Sequence, residues 1–238
     1  MHIPFAIGKK SDGKIYSIDL SETANLMVSY CEERQLKKMF KDLQSIDYAY
    51  KTKDYYFVSK RRCVEWGVDL QMMHTLFKDE PEAGSIRKKT ELFKMLTGEI
   101  LRREKLLSRK QVDFKKYFEL NTWQDQKMTY QFFIVDDIWD LIKGITKTQG
   151  LNLIRILLYG PMVGIHTLFT SSLSYRNLLE QLVDIHPGVI EELRMKFGVP
   201  EPKRINSFSS ELIITADFLV FFKKAGETEM ERLYYAGD

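Results

Sequence analysis

The stretch FFIVDDIWDLI, Phe132 to Ile142, constrains the fold more than any other part of this sequence. It begins with a run of aromatic and β-branched residues, which predicts a buried strand. The run leads directly into two adjacent carboxylates, Asp136 and Asp137, and then into another apolar group. An acid at the end of such a strand is where many phosphate-transferring proteins hold Mg²⁺. A chain that used these acids in that way would also need a loop for the phosphates.

One segment comes near the pattern of a phosphate-binding loop, which is G-x-x-x-x-G-K-[ST] between a strand and a helix. The segment GKKSDGKI has Gly8, Gly13 and Lys14 at the right spacing, but Ile15 stands where the hydroxyl belongs. The alternating residues that follow predict the second strand of a hairpin rather than a helix. We therefore do not expect this segment to hold phosphate.

The next strand-to-helix turn, LMVSYCEERQLKKMF, is where the loop would be expected. It contains no glycine, and Glu32 and Glu33 lie where the phosphates would rest. Carboxylates repel a triphosphate, and bulky side chains keep the backbone from approaching it. The sequence therefore predicts that no nucleotide binds here in the ordinary way.

Predicted strands and helices alternate along the rest of the chain. The long amphipathic helix is predicted from about Lys89 to Leu107, and further helices end near Gly160 and cover YRNLLEQLV. Strands are predicted at DYYFVSK, at IHTLFTSS and, as one or two strands, at ELIITADFLVFFK. Such alternation is typical of a mostly parallel sheet with helices on both faces. We expect one α/β domain over residues 1–238, with KDEPEAGS as a loop inside it.

Composition excludes several classes of protein. At 238 residues and 44% hydrophobic content the chain can bury a sizeable core, and no apolar run is long enough to span a membrane. We expect no signal peptide and a cytosolic setting. Cys31 and Cys63 are predicted to be reduced. His166 is predicted to be packed or hydrogen-bonded, and the spacing of the other histidines predicts no metal site.

The net charge of +3 is small, but it is unevenly distributed. Residues 87–116 contain eleven lysines and arginines against four acids. A solvated helix face is the ordinary explanation, and a face that meets nucleic acid or another acidic surface is the functional one. The candidate residues are Arg87, Lys88, Lys89, Arg102, Arg103, Arg109 and Lys110.

Five blocks, in order and across nearly the whole chain, resemble the motor domain of the FtsK/SpoIIIE family of P-loop ATPases. They are PFAIGKKSDGKIYSIDLSETANLMVSY, GEILRREKLL, FIVDDIWDLI, GPMVGIHTLFTSS and MERLYYAGD. The resemblance implies a RecA-like P-loop NTPase fold, and FIVDDIWDLI then corresponds to the Walker B strand.

The family's catalytic residues are replaced at the matching positions of this chain. The glycine positions of the phosphate loop hold Tyr30, Glu33 and Gln35, the lysine position holds Leu36, and the serine position holds Lys37. Asp137 stands where the family has a longer, water-activating Glu. The sensor pair is Ser171-Ser172, which keeps a hydroxyl and loses the amide. We expect Asp136 and Asp137 to remain as residues that cap a strand end and a helix start.

The resemblance implies a module that has kept the motor fold and lost nucleotide chemistry. Type VII secretion ATPases of the EssC/EccC type resemble tandem arrays of such domains on a membrane-anchored chain, with some members degenerate. On this interpretation the chain is a piece of a longer protein at the cytoplasmic face. Its partners would be a secreted protein substrate and neighbouring ATPase modules, in a ring oligomer of the full-length protein. No cofactor is expected, and ATP with Mg²⁺ would be relevant only if the altered site still bound it.

Two alternatives stay open at this point. The first is a DNA translocase or a conjugation coupling protein, in which the basic stretch meets the phosphate backbone. The second is a weak ATPase at Asp136 and Asp137 that a neighbouring subunit completes. Duplex binding that weakens steeply with salt would favour the first, and heat on titration with Mg-ATP would favour the second.

Overall fold

A computed structural model describes residues 2–30, 33–50, 52–66, 74–77, 86–120, 128–171, 209–215 and 219–235. The strands of these ranges are β1 (Pro4–Lys9), β2 (Ile15–Asp19), β3 (Asn25–Tyr30), β4 (Lys53–Val58), β5 (His74–Phe77), β6 (Gln131–Val135), β7 (Ile165–Ser171), β8 (Ser209–Ile214), β9 (Leu219–Lys223) and β10 (Glu231–Tyr234). The helices are α1 (Glu33–Tyr50), α2 (Lys60–Trp66), α3 (Ile86–Lys110), α4 (Phe114–Leu120), α5 (Ile138–Ile142) and α6 (Lys147–Tyr159), with a 3₁₀ turn at Pro161–Val163.

The strands of the described ranges form a single sheet in the order β2-β1-β10-β9-β8-β3-β7-β6-β4-β5. Strands from β8 to β5 in that order pair in parallel. The β1–β2 hairpin joins this parallel part through β10 and β9. The pairings β2–β1, β1–β10, β10–β9 and β9–β8 are all antiparallel. The predicted α/β fold with a mostly parallel sheet is therefore confirmed, with an antiparallel extension at one end.

Both faces of the central strands are covered. Every residue of β6 and β7 is buried, although side chains on a strand alternate between the two faces. Burial on both faces requires packing elements on each side, as predicted for a parallel sheet. Among these elements, α3 packs along α6 and the 3₁₀ turn that follows it.

The segment GKKSDGKI forms the turn of the β1–β2 hairpin, as the sequence predicts. Gly13 adopts a φ of 79°, which is the left-handed region that glycine tolerates best. The N–H of Lys10 donates to the carbonyl of Lys14 at 2.9 Å and closes the turn. No helix follows it, so this glycine-rich segment has the local structure of a hairpin and not of a phosphate loop.

Several boundaries and elements differ from the sequence predictions. The long helix α3 extends from Ile86 to Lys110, beyond the predicted span at both ends. Elements α2, α4, β5 and β10 were not predicted. The predicted loop at 78–85 and the predicted helix at 175–183 lie outside the described residues. None of the helices in the described ranges is both long and apolar enough to cross a lipid bilayer.

Candidate functional site

The carboxyl ends of four parallel strands meet at one edge of the sheet and form the candidate site. β7 lies between β3 and β6, and β4 lies on the other side of β6. Open α/β sheets bind their ligands at this edge, beyond the ends of the strands. The residues that the sequence analysis selected from β3, β6 and β7 are therefore brought to the same edge.

Asp136 lies directly after β6 and is buried, with 1% of its side chain exposed. Its backbone N–H donates to the carbonyl of Phe57 in β4 at 2.8 Å, which fixes the carboxylate between the two strand ends. The guanidinium of Arg62 donates from Nη1 to Oδ1 at 2.7 Å, and the N–H of Ser59 lies 3.4 Å from Oδ2. A cation of the chain itself therefore neutralises the acid that would otherwise face a metal ion.

Arg62 belongs to α2, the helix that follows β4, and its side chain is 14% exposed. The same Nη1 lies 3.4 Å from the hydroxyl of Tyr30, the last residue of β3. Burial raises the pKa of Tyr30, so its hydroxyl is neutral at physiological pH and can accept from the guanidinium. Arg62 thus connects the end of β3 with the end of β6.

Asp137 holds a backbone conformation that is unusual for a residue with a side chain. Its φ is 60° and its ψ is 91°, and it is the N-cap of α5. The carboxylate accepts from the N–H of Trp139 at 3.1 Å, and the N–H of Asp137 donates to the hydroxyl of Thr170 at 2.9 Å. A capping hydrogen bond and a buried partner hold the strained backbone, as expected for an acid retained at a helix start.

The positions that correspond to the phosphate loop begin at Tyr30 and continue into α1, which starts at Glu33. Leu36, which stands at the lysine position, is fully buried in the hydrophobic core. Lys37 is exposed on the same helix. The side chains of Glu33 and Gln35 lie outside the described residues. A buried leucine has no group that could contact a phosphate, and its place in the core is structural.

The sensor position of β7 is represented by Ser171, which is buried at the end of the strand. Ser172 lies outside the described residues. The residue before them, Thr170, has the more direct connection to the acids, because its hydroxyl contacts the N–H of Asp137 and lies 3.5 Å from Oδ1 of Asp136. Thr170 therefore couples β7 to the two carboxylates.

The predicted basic face has to be corrected at two of its members. All seven candidates lie on α3, but Lys89 and Arg103 are buried, with 4% and 0% exposure, and cannot belong to a surface. Their burial follows from the helical period, since they share the inward face of α3 with Leu92 and Leu96. Arg87, Arg102, Arg109 and Lys110 are exposed, and Lys88 is partly so.

Lys89 anchors α3 to the element that follows the acids. Its ammonium donates to the carbonyls of Asp140, Leu141 and Lys143 at 2.9, 3.0 and 3.1 Å. These carbonyls lie at the carboxyl end of α5, where a cation interacts favourably with the helix dipole. Burial lowers the pKa of Lys89, but the three acceptors favour the charged form.

Arg103 ties α3 to the turn before β7. Its Nη1 donates to the carbonyl of Val163 at 2.9 Å, and its Nε donates to Glu99 at 2.8 Å. Burial opposes the ionisation of Glu99, but the hydrogen bonds from Arg102 and Arg103 outweigh it and lower the pKa of Glu99 to about 2. Glu99 and Arg103 in GEILRREKLL thus fix α3 to the turn that precedes β7.

His166 lies at the opposite end of β7 from Thr170. It is buried and hydrogen-bonded, which confirms the prediction that it is packed or hydrogen-bonded. Its Nδ1 lies 2.8 Å from the carbonyl of Thr23, so this nitrogen carries the proton. Burial lowers the pKa of His166 to about 4, and the ring is neutral at physiological pH. It borders a cavity of about 200 Å³ that Phe114 and Tyr130 also line.

The sequence analysis missed Arg62, Ser59 and Thr170. A signal was present, because SKRRC follows a strand that was predicted, and a basic cluster at a strand end can pair with acids at a neighbouring strand end. What the sequence could not supply was the strand order that makes β4 and β6 neighbours. Among the described residues, no group of three or more His, Cys, Asp or Glu side chains is arranged to hold a metal ion.

The sequence matches no protein-family model and no curated protein. Solved structures, in contrast, match it over almost its whole length. EssC from Geobacillus thermodenitrificans (ATPases 2 and 3) has a TM-score of 0.62 at 16% identity, covering 99% of this chain and 45% of that one. The pCW3 conjugation coupling protein TcpA, with ATPγS, has a TM-score of 0.61 at 13% identity, covering 99% and 66%.

A third match is EccC from Thermomonospora curvata, ATPases 2 and 3, in complex with a signal sequence peptide. Its TM-score is 0.61 at 12% identity, and the match covers 100% of this chain and 41% of that one. The chain therefore spans less than half of the length of these two secretion ATPases. The fold is therefore the one seen in the ATPase domains of EssC and EccC and in TcpA.

Proposed function

We propose that this chain is a degenerate, nucleotide-independent module of a type VII protein secretion motor, which acts in substrate recognition or in regulating neighbouring ATPase modules. The observation that carries the proposal is the buried ion pair between Arg62 and Asp136. Mg²⁺ and a guanidinium cannot occupy the same side of one carboxylate oxygen. A metal ion that approached Oδ1 of Asp136 would have to displace Arg62.

The positions of the phosphate loop support the same conclusion. The residue at the lysine position, Leu36, is part of the core, and no glycine lies between β3 and α1. Phosphate binding depends on several backbone N–H groups and a lysine acting together. Among the described residues, this edge has the acids Asp136 and Asp137 and has a buried leucine at the position where a lysine would contact the phosphates.

A role in protein secretion is supported by the resemblance and by the relatives with the same fold. One of them, the EccC structure, was solved with a signal sequence peptide. A module that has lost nucleotide chemistry and kept this fold can still bind a partner or a neighbouring module. We accordingly propose a secreted protein and adjacent ATPase modules as its partners, on a longer chain at the cytoplasmic face of a membrane.

Titration calorimetry with Mg-ATP tests the loss of nucleotide chemistry. We expect no heat of binding at millimolar nucleotide, both for the unchanged chain and for Arg62→Ala, because removal of the guanidinium does not restore the phosphate loop. Saturable heat that disappears in Asp136→Asn would contradict the proposal. It would favour the alternative of a weak ATPase.

A further inference from the structure

The side of α3 that faces away from the sheet carries exposed basic residues, two exposed apolar side chains and a glycine, and neither the fold nor the ion pair at Asp136 explains this combination. Its exposed positions recur every three or four residues, opposite the buried face that contains Leu92, Leu96 and Arg103. We call this surface the outward face of α3. It is formed by Lys94, Met95, Gly98, Leu101, Arg102, Lys105 and Arg109.

Two large apolar side chains are exposed on this face. Met95 is 40% exposed and Leu101 is 47% exposed, and they lie on either side of Gly98 along the helix. Scattered exposed apolar residues are normal on a protein surface. Two of them next to a glycine on one helical face form a local patch in which apolar side chains project and the helix backbone is accessible.

No contact among the described residues requires position 98 to be glycine. A Cβ added to it would meet no atom within 4 Å, and its φ lies in the ordinary helical region. Glycine is the least favourable residue after proline in a helix interior, so it reduces the stability of α3 here. A close approach by the backbone of another element would explain it, since only glycine leaves the helix surface open at that point.

The charges around the patch indicate what could approach. Lys94, Arg102, Lys105 and Arg109 are all exposed. Arg102 is already paired with Glu99 of the same helix at 2.7 Å, and the exposed acid Glu91 pairs with Arg87 at 3.1 Å, so Lys94, Lys105 and Arg109 carry the positive charge that a partner could meet. A partner with acidic flanks is therefore complementary. A DNA duplex would contact the basic residues through its phosphates. It would also place those charged phosphates against the apolar side chains of Met95 and Leu101, and this is unfavourable because a charge loses water there without gaining a polar partner.

We propose that the outward face of α3 is a docking surface for an acidic amphipathic helix of a partner protein. The apolar side of that helix packs on Met95 and Leu101, its backbone passes over Gly98, and its acidic flanks pair with the basic residues. This is the helix-on-groove mode of recognition. The proposal names a surface for the partner-binding role and in that respect rests on the proposed function.

A designed peptide tests it. The probe is a fluorescent helical peptide of about 18 residues, five turns, with leucines along one side and glutamates on both flanks. We expect saturable binding by anisotropy, no binding of a peptide of the same composition in scrambled order, and weaker binding of a peptide with lysines in place of the glutamates.

Substitutions locate the binding surface. Met95→Glu and Leu101→Glu should each weaken binding by about tenfold or more, as expected when an apolar anchor is lost. Ile15→Glu is the control, because Ile15 is an apolar residue on β2 that is 65% exposed, and it should leave binding unchanged. Gly98→Phe should abolish binding, and circular dichroism should show that each variant is folded.

Two results would overturn the proposal. The first is no binding of the acidic peptide, or binding that none of the α3 substitutions changes. The second is tighter binding of a DNA duplex that falls steeply with salt and depends on Lys105 and Arg109 but not on Leu101. Calorimetry with nucleotide and titration with the peptide are independent measurements, so this proposal and the proposed function can fail separately.

Discussion

Replacing Arg62 by methionine should destabilise the protein strongly, because it removes the cation that neutralises a buried acid. Asp136 has 1% of its side chain exposed and accepts from Arg62 at 2.7 Å. Its contacts with Ser59 and Thr170 are longer, at 3.4 and 3.5 Å. Removing one partner of a buried ion pair costs about 3–5 kcal/mol, since the remaining charge loses its ionic partner while it stays buried. We expect a loss in that range for Arg62→Met at neutral pH.

The double variant Arg62→Met/Asp136→Leu separates this effect from lost packing. With both charges gone no buried acid remains, and apolar pairs of similar volume often match a buried ion pair in stability. The double variant should therefore recover most of the stability that Arg62→Met loses. Urea unfolding followed by circular dichroism gives the free energies of unfolding for the double-mutant cycle.

Arg61→Met is the control for this prediction. Arg61 is the neighbouring residue, is 73% exposed, and pairs with exposed Glu65 at 3.5 Å. Surface pairs of this kind contribute little, so we expect a change within about 0.5 kcal/mol. If Arg62→Met were as mild as Arg61→Met, or if the cycle showed no coupling, the ion pair would not neutralise Asp136 in solution, and the proposed function would lose its main support.

Three further predictions concern other parts of the molecule. The pKa of His166 is lowered to about 4, so the stability that its neutral form contributes is complete above pH 6.5 and is lost as pH falls toward 4. The loss is about 3 kcal/mol in acid unfolding, and His166→Gln should flatten that part of the profile. Gly164→Ala should cost about 2–4 kcal/mol in urea unfolding, because φ is 75° and the added Cβ would lie 2.2 Å from the ring of Phe114; a milder loss would show that this ring can move. Gly98→Ala should instead stabilise the free chain by about 1 kcal/mol, and a decrease in melting temperature would show that Gly98 has a role inside the fold.

The sequence predicts the parallel core well because each strand there has a clear local pattern. FFIV is a continuous apolar run that ends at two acids, and IHTLFTSS combines apolar and β-branched residues, as is typical of strands that are buried on both faces. The antiparallel extension could not be predicted in the same way. β10 is a four-residue strand with exposed residues at two positions, and its partner β1 lies more than two hundred residues away in the chain. Short strands of this kind depend on long-range pairing rather than on local propensity.

The site follows the same division between local and long-range information. Asp136 and Asp137, the lack of glycine after β3, and Leu36 at the lysine position can all be identified from the sequence, because each is recognised by comparison with a local motif. Arg62 and Thr170 depend on β4 and β7 being neighbours of β6, which the chain order does not reveal. A count of charges places Lys89 and Arg103 on the basic surface, whereas both are buried. Their positions on the inward face of α3 were available from the helical period.

If the proposed loss of nucleotide chemistry holds, the ion pair and the strained residue beside it limit which substitutions could give this edge of the sheet ATPase activity. Asp137→Glu would supply the longer acid of the family, but Asp137 caps α5 and holds a φ of 60° that a longer side chain does not favour. Arg62 would still neutralise Asp136, and Leu36 would still lie in the core where a lysine is needed. Asp136, Asp137 and Leu36 each contact neighbouring residues within the fold. The edge has therefore become part of the protein's stable structure, which is the physical reason to look for its function on other surfaces, such as the outward face of α3.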